Sequence, residues 1–198
     1  MGDEARILIV CTGNICRSPF IERLLQRRLD ELQTGGGGDG RATVVRSAGT
    51  NALDGWAMDE RAAAQLVAYG GDPAGFSARR LTPDLVAEYD LVLTATRAHR
   101  GKVAAMSPGA LRRLFTFRDF ADLVADIDRR GAGATGTDQR GWVHQVAEEA
   151  AARRGLNPPL DPGQADIVDP YGRQVRVFAA MAQQVVGSMP AVVRALAG

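Results

Sequence analysis

The uninterrupted apolar run Ile7-Leu8-Ile9-Val10, close to the start of the chain, constrains the fold more than any other segment. A strand with one face in water alternates polar and apolar residues, so a run that is apolar throughout has to be covered on both sides. That is the position of an inner strand in a parallel sheet with helices on either face. The next segment fits such a unit: from Ser18 the pattern turns helical, with Ile21, Leu24, Leu25, Leu29 and Leu32 on one face. Ser18 is a candidate N-cap and Pro19 takes the first helical position. Residues 11–17 are therefore predicted to be a strand-to-helix loop.

The alternation continues along the chain. Residues 43–46 are predicted to form a second strand, 58–69 a helix closed by Gly70-Gly71, and 83–88 a short helix opened by Thr82-Pro83. Leu91–Thr94 is the third strand, a helix lies near Arg97–Met106, and 114–117 is the fourth strand. Phe120, Leu123, Val124 and Ile127, at offsets of three, four and seven, predict an amphipathic helix. Val175, Phe178, Ala179, Ala182, Val185, Val186 and Met189 trace the stripe of a last one. Strands alternating with helices imply right-handed βαβ crossovers, hence an α/β fold of three layers, α/β/α, around a central four-stranded parallel sheet. The 198 residues suit one domain spanning 1–198. Residues 34–40, rich in glycine, read as a surface connection. The stretch from about 120 to 165 exceeds what such a sheet needs. It is expected to be a helical elaboration, with one more helix near 142–154 and a mobile part at 131–141.

Composition removes several classes of function. Twenty-four basic residues against 23 acidic ones leave a net charge of +1, too little for a whole-molecule field that would draw in nucleic acid or an anionic membrane. Any anion site has to be local. Two cysteines, Cys11 and Cys16, supply neither a disulfide framework nor a four-thiolate metal site. A reducing, cytoplasmic compartment is expected. The acidic start Met1-Gly2-Asp3-Glu4 and the shortness of the first apolar run speak against a signal peptide or membrane span.

The local anion site is predicted in Cys11-Thr12-Gly13-Asn14-Ile15-Cys16-Arg17-Ser18. A loop wrapped at a helix N-terminus points backbone N–H groups inward, and with the positive end of the helix dipole they can hold a tetrahedral dianion. Gly13 and Asn14 are residue types that tolerate the positive φ such a nest requires. Arg17 adds a planar fork for two phosphoryl oxygens. These surroundings favour the thiolate of Cys11, and a hydroxyl donated by Ser18 would favour it further.

The loop, followed by Pro19, resembles the signature of the low-molecular-weight protein tyrosine phosphatases, preceded as in that family by an apolar first strand. Ser47-Ala48-Gly49-Thr50 after the second strand and Asp169-Pro170-Tyr171-Gly172 before the last helix agree with it. The resemblance implies the phosphatase I-like version of the α/β fold and a phosphocysteine route needing no metal or cofactor. Cys11 would be the nucleophile, Arg17 the phosphoryl clamp and Asp169 the general acid, Asp166 being its nearby competitor. Thr12, Gly13, Asn14, Ile15, Cys16 and Ser18 would form the cradle, with Leu53 (or Trp56) and Tyr171 on the rim and Ser47 in support beside Asn14. Many relatives place a histidine in that support network where Phe76 aligns here, which implies that part of it is rebuilt or missing. Cys16 would be the thiol to capture an oxidised Cys11. His99 and His144, without a partner pattern, are expected to be surface or helix residues.

The implied substrate is a phosphotyrosyl protein, with a bacterial tyrosine kinase among the candidates. Three alternatives stand beside it. An arsenate reductase uses the same oxyanion loop but needs further cysteines. A protein arginine phosphatase resembles this loop with threonine where Ile15 stands. A non-catalytic phosphoryl-binding module would keep the nest and lose the chemistry. Because the elaboration leads into Asp169, it is also expected to form a partial wall beside the pocket.

Overall fold

The computed structural model describes residues 4–34, 42–127, 138–156 and 158–197. Its sheet holds four parallel strands, β1 (Ala5–Cys11), β2 (Thr43–Gly49), β3 (Leu91–Thr94) and β4 (Leu114–Thr116), in the order β2-β1-β3-β4. β1 pairs with β2 from Ala5↔Thr43 to Cys11↔Gly49 and with β3 from Ile7↔Leu91 to Val10↔Thr94. It is the inner strand that its composition demands, and its alternate residues enter two separate cores. Ile7 and Ile9 pack with apolar residues of α1 (Arg17–Thr34), α2 (Glu60–Ala68), α5 (Phe117–Leu123), α6 (Gln139–Arg153) and α8 (Val175–Ala197). Leu8 and Val10 pack on the other face with Val86 of α3 (Pro83–Ala87) and Val103 of α4 (Arg97–Met106). The expected three-layer α/β/α arrangement is present.

The strand order also locates a crevice. From β1 the chain crosses to β2 on one side, and β3 lies on the other, so the connections part at the C-terminal end of β1. In parallel α/β sheets that is where ligands bind.

Several boundaries differ from the sequence expectation for identifiable reasons. β2 runs on through Ser47, Ala48 and Gly49, because the Ser47 side chain finds buried partners and the strand tolerates it. β4 stops at Thr116, whose hydroxyl accepts the N–H of Asp119 and so starts α5 at Phe117. That helix ends at Leu123, and Val124 and Ile127 are buried beyond its end. Asp59 caps α2, accepting from the N–H groups of Arg61 and Ala62. α8 continues past its stripe and through Pro190 to bury Val192, Ala195 and Leu196. A short 3-10 helix at Pro108–Arg113 and α7 (Pro162–Ala165) have no periodic signal in the sequence.

The largest correction concerns the elaboration. α6 docks at the N-terminal ends of the strands, opposite the crevice: Gln139 Nε2 donates to Thr43 Oγ1 and to the Leu196 carbonyl, and Trp142 Nε1 donates to the Ala195 carbonyl. Buried Asp90, at the foot of β3, accepts from Arg140 Nε at 2.8 Å and pairs with His144 Nε2 at 3.0 Å. α6 is thus core and underside, and the expected wall beside the pocket is not built from it. Residues 131–137 of the expected mobile part, and 35–40 of the glycine-rich connection, lie outside the described residues.

Candidate active site

The loop between β1 and α1 is shaped from behind by residues 50–59. Four of that segment's N–H groups pull carbonyls of the loop outward: Thr50 N to Cys11 O, Asn51 N to Thr12 O, Leu53 N to Gly13 O and Asp59 N to Ile15 O, all at 2.9–3.0 Å. Peptide units whose carbonyls point out turn their N–H groups the opposite way, which makes the concave, amide-lined nest an oxyanion needs. The approach is close enough to demand glycine at position 49, where a Cβ would lie 2.3 Å from the Thr12 carbonyl oxygen. Of the two residues expected to take positive φ, only Asn14 does, at +57°.

A directional proton chain locks the loop. The Arg79 N–H donates to Asn14 Oδ1 at 2.9 Å, which fixes the amide's orientation. Both amide hydrogens of Asn14 are then spent on hydroxyl oxygens, Ser18 Oγ at 2.8 Å and Ser47 Oγ at 2.7 Å. A hydroxyl that accepts in this way is free to donate elsewhere. Ser47 donates to Glu22 Oε2, and Ser18, 3.0 Å from Cys11 Sγ, can direct its proton to the sulfur. Burial pushes the Glu22 carboxyl above its ordinary value, against the Ser47 hydrogen bond and the arginines around it. The network that Phe76 was expected to weaken is rebuilt from Glu22 and the Arg79 backbone. Phe76 instead packs against the core, with the Arg23 guanidinium over its ring.

The pocket opens at the C-terminal end of β1. Cys11 and Arg17 line it with Thr12, Gly13, Ile15 and Cys16 of the same loop. Asn51, Leu53, Asp169 and Tyr171 complete its sides. Asn14 and Ser18, expected in the cradle, are fully buried behind the loop and act on it from there. Trp56 is off the pocket wall and exposed, so Leu53 is the rim residue of the two. Asn51 has no sequence signal of its own.

Arg17 is the hinge of the arrangement. Its side chain is only 6% exposed, yet Nη2 reaches Asp169 Oδ2 at 2.8 Å, bridging the nest to a loop more than 150 residues away in sequence. Asp169 is itself 55% exposed on its side chain. Asp166, the competitor, is drawn away to the N-terminus of α4, where it accepts the Arg97 N–H at 2.8 Å. The two cysteines differ sharply. Burial, reinforced by Asp59, Cys11 and Asp169, pushes the Cys16 thiol up to about 12, so it stays protonated, whereas Cys11 faces the Ser18 hydroxyl.

The family model described as low molecular weight phosphotyrosine protein phosphatase matches residues 6–130. The chain belongs to this family. It is 38% identical over 102 residues to the low molecular weight protein-tyrosine-phosphatase Etp of Escherichia coli strain K12, a match covering 52% of this chain and 62% of Etp. It is 37% identical over 111 residues to Wzb of the same strain, covering 56% and 68%. The chain thus spans less than two thirds of Etp. Among solved structures, Vibrio vulnificus Wzb in complex with benzylphosphonate shares the fold, with a TM-score of 0.65 at 24% identity over 96% of this chain and 97% of that one. The family match ends before Asp169. That residue reaches the pocket through the fold, past the elaboration.

His99, expected to be a surface or helix residue, is on α4 but only 5% exposed, and it stands against the pocket loop: its Nε2 lies 2.8 Å from Thr12 Oγ1 and its Nδ1 2.6 Å from Thr96 Oγ1. The other histidine, His144, is half-exposed on α6 and pairs with Asp90.

Proposed function

We propose that this chain is a cysteine-dependent phosphatase that hydrolyses phosphotyrosine on proteins. The observation that carries this is the convergence, in one pocket, of a thiol 3.0 Å from the Ser18 hydroxyl, an amide-lined loop with Arg17 in it, and a carboxyl group 2.8 Å from that arginine. An entering phosphoryl dianion takes the Arg17 fork and the loop amides, with Cys11 as the thiolate. The Asp169 carboxylate that the dianion releases takes up a proton from solvent and turns toward the leaving oxygen. Cys11 Sγ then attacks phosphorus in line. The Sγ–P bond forms as the P–O bond to the aryl group breaks, and Asp169 gives its proton to the departing phenolic oxygen. In the second step a water attacks phosphorus, Asp169 takes its proton, the Sγ–P bond breaks and inorganic phosphate leaves. Arg17 and the amides stabilise the equatorial oxygens in both steps.

The apolar sides of the pocket, Ile15, Leu53 and the Tyr171 ring, suit a flat aromatic group. The substrate class is a phosphotyrosyl protein, and a bacterial tyrosine kinase is the first to assay. We place the reaction in the cytoplasm, in keeping with two unpaired cysteines. Among the described residues no helix is long and apolar enough to cross a membrane.

Matched peptides carrying phosphotyrosine, phosphoserine or phosphoarginine test the proposal, with kcat/KM as the readout. Phosphotyrosine is expected to be turned over fastest. Faster turnover of phosphoarginine would replace the substrate class. Vanadate binding without turnover of any peptide would make the chain a phosphoryl-binding module.

A further inference from the structure

One turn of the chain touches both halves of the site. Ala95–His99 leaves the end of β3 beside the nest. Within it the Ala95 carbonyl accepts the N–H of Ile167, and the Arg97 N–H donates to Asp166, so it steadies the approach to Asp169. His99, in the first turn of α4, reaches the opposite way. Thr96 caps that helix, its Oγ1 accepting the His99 N–H at 3.3 Å and meeting His99 Nδ1 at 2.6 Å. The ring is held at one nitrogen by its own helix cap and at the other by Thr12, the residue next to the nucleophile. Thr12 is in turn fixed at its carbonyl by Asn51.

We propose that His99 is a positioning residue for the phosphoryl-binding loop, acting through the Thr12 hydroxyl to hold the peptide next to Cys11 in the shape that binds the transferring phosphoryl group. This rests on the phosphatase function proposed above. A buried ring bonded at both nitrogens has one orientation, and in the neutral form one nitrogen donates while the other accepts, so each threonine hydroxyl has a defined role. The surroundings keep it neutral. Burial, with Arg17 of α1 and Lys102 of α4 facing it, pushes the imidazole down to about 4, against Asp169 and Asp166 from the acid loop. Thr12 thereby gains a rigid partner without adding a second positive charge beside Arg17.

A double-mutant cycle decides between positioning and simple packing, with Thr12→Val, His99→Ala and the pair, read on kcat, on KM and on vanadate affinity. Removing either side of the hydrogen bond is expected to lower kcat and vanadate affinity by about tenfold, with KM nearly unchanged. The double variant is expected to be no worse than either single one. His99→Gln, which can still reach Thr12, is expected to recover most of the loss. Melting curves of Thr12→Val, a nearly isosteric change, guard against misfolding as the cause. The proposal is overturned if Thr12→Val matches the wild type, if the two losses multiply, or if His99→Gln is as impaired as His99→Ala. Should the wild type show no turnover, the phosphatase function fails, and the same cycle read on vanadate affinity still tests His99.

Discussion

The two loops that meet at Arg17 are built on opposite principles. The nucleophile loop is interior: Cys11, Asn14, Ile15, Cys16, Arg17 and Ser18 are all buried, four of its carbonyls are anchored to residues 50–59, and its buried hydroxyls and amide are linked in one chain of hydrogen bonds. The acid loop is held at its two ends, by Ile167 N to Ala95 O, Val168 N to Gln184 Oε1 and the Arg97 N–H to Asp166 on one side and by Arg61 Nη1 to the Arg173 carbonyl on the other. Between these ends Asp169 and Tyr171 are more than half exposed. The Asp169 carboxylate is held by Arg17 and by the Tyr171 N–H, the latter at 3.2 Å. A group that must present amides to an anion gains from rigidity, because the cost of orienting them is met on folding. In the proposed mechanism Asp169 leaves an arginine, turns to a phenolic oxygen and later takes a proton from water, and such a group has to move.

This contrast is open to test, and the largest effect is expected at the acid. Asp169→Asn keeps the shape and removes the proton, so turnover of substrates with poor leaving groups should fall by about 10²–10⁴. The fall should be smaller for para-nitrophenyl phosphate, whose leaving group is a stable anion. Equal losses for both would remove Asp169 from proton delivery.

The next effect is expected behind the rigid loop. Asn14→Gly accepts the φ of +57° without strain and deletes the amide that serves Ser18 and Ser47. Urea unfolding should show a loss of roughly 1–3 kcal/mol, with a fall in kcat beside it. Unchanged stability and kcat would mean that the network does not rigidify the nest.

A pH dependence is expected from His99. Its folded value of about 4 lies below the ordinary 6.5, so its contribution to stability is complete above about 6.5 and is lost as the pH falls toward 4. The melting temperature of the wild type should exceed that of His99→Gln at pH 7 by a margin that shrinks steadily to pH 4. Comparing the two proteins cancels the opposite trend from Glu22, whose raised value favours the folded state at low pH and loses that contribution as the pH rises. A constant margin would mean that His99 titrates alike in the folded and unfolded chains.

The smallest effect belongs to the rim. Tyr171→Ala should raise KM for a phosphotyrosyl peptide by about two- to tenfold with kcat little altered. A fall in kcat alone would assign Tyr171 to the chemistry instead.

Legibility in the sequence tracks the range of the interactions. The inner strand, the nest and its arginine are local: they lie within a dozen or so consecutive residues, and period, capping and spacing show them. Asp169 is visible only through resemblance, since a single Asp-Pro has no pattern of its own. Glu22, Asn51, Arg79 and His99 escape sequence reasoning because each acts through a contact with a residue outside its own local pattern, such as Arg79 on Asn14 or His99 on Thr12. The place of α6 within the elaboration is the instructive miss: its helix is expected from the sequence, but nearness in sequence to Asp169 is not nearness in space. Asp90 and Thr43, at the feet of their strands, and the end of α8 draw α6 to the end of the sheet opposite the crevice.

The central claim is that phosphate passes through Cys11. Rapid acid quenching of the protein with a phosphotyrosyl peptide carrying labelled phosphate, with digestion and mass spectrometry afterwards, reads it directly. The account predicts phosphocysteine on Cys11 within the first turnover, accumulating further in Asp169→Asn when para-nitrophenyl phosphate is the donor, and absent in Cys11→Ser. Turnover that continues in Cys11→Ser, or label that appears on Cys16 in place of Cys11, would contradict it.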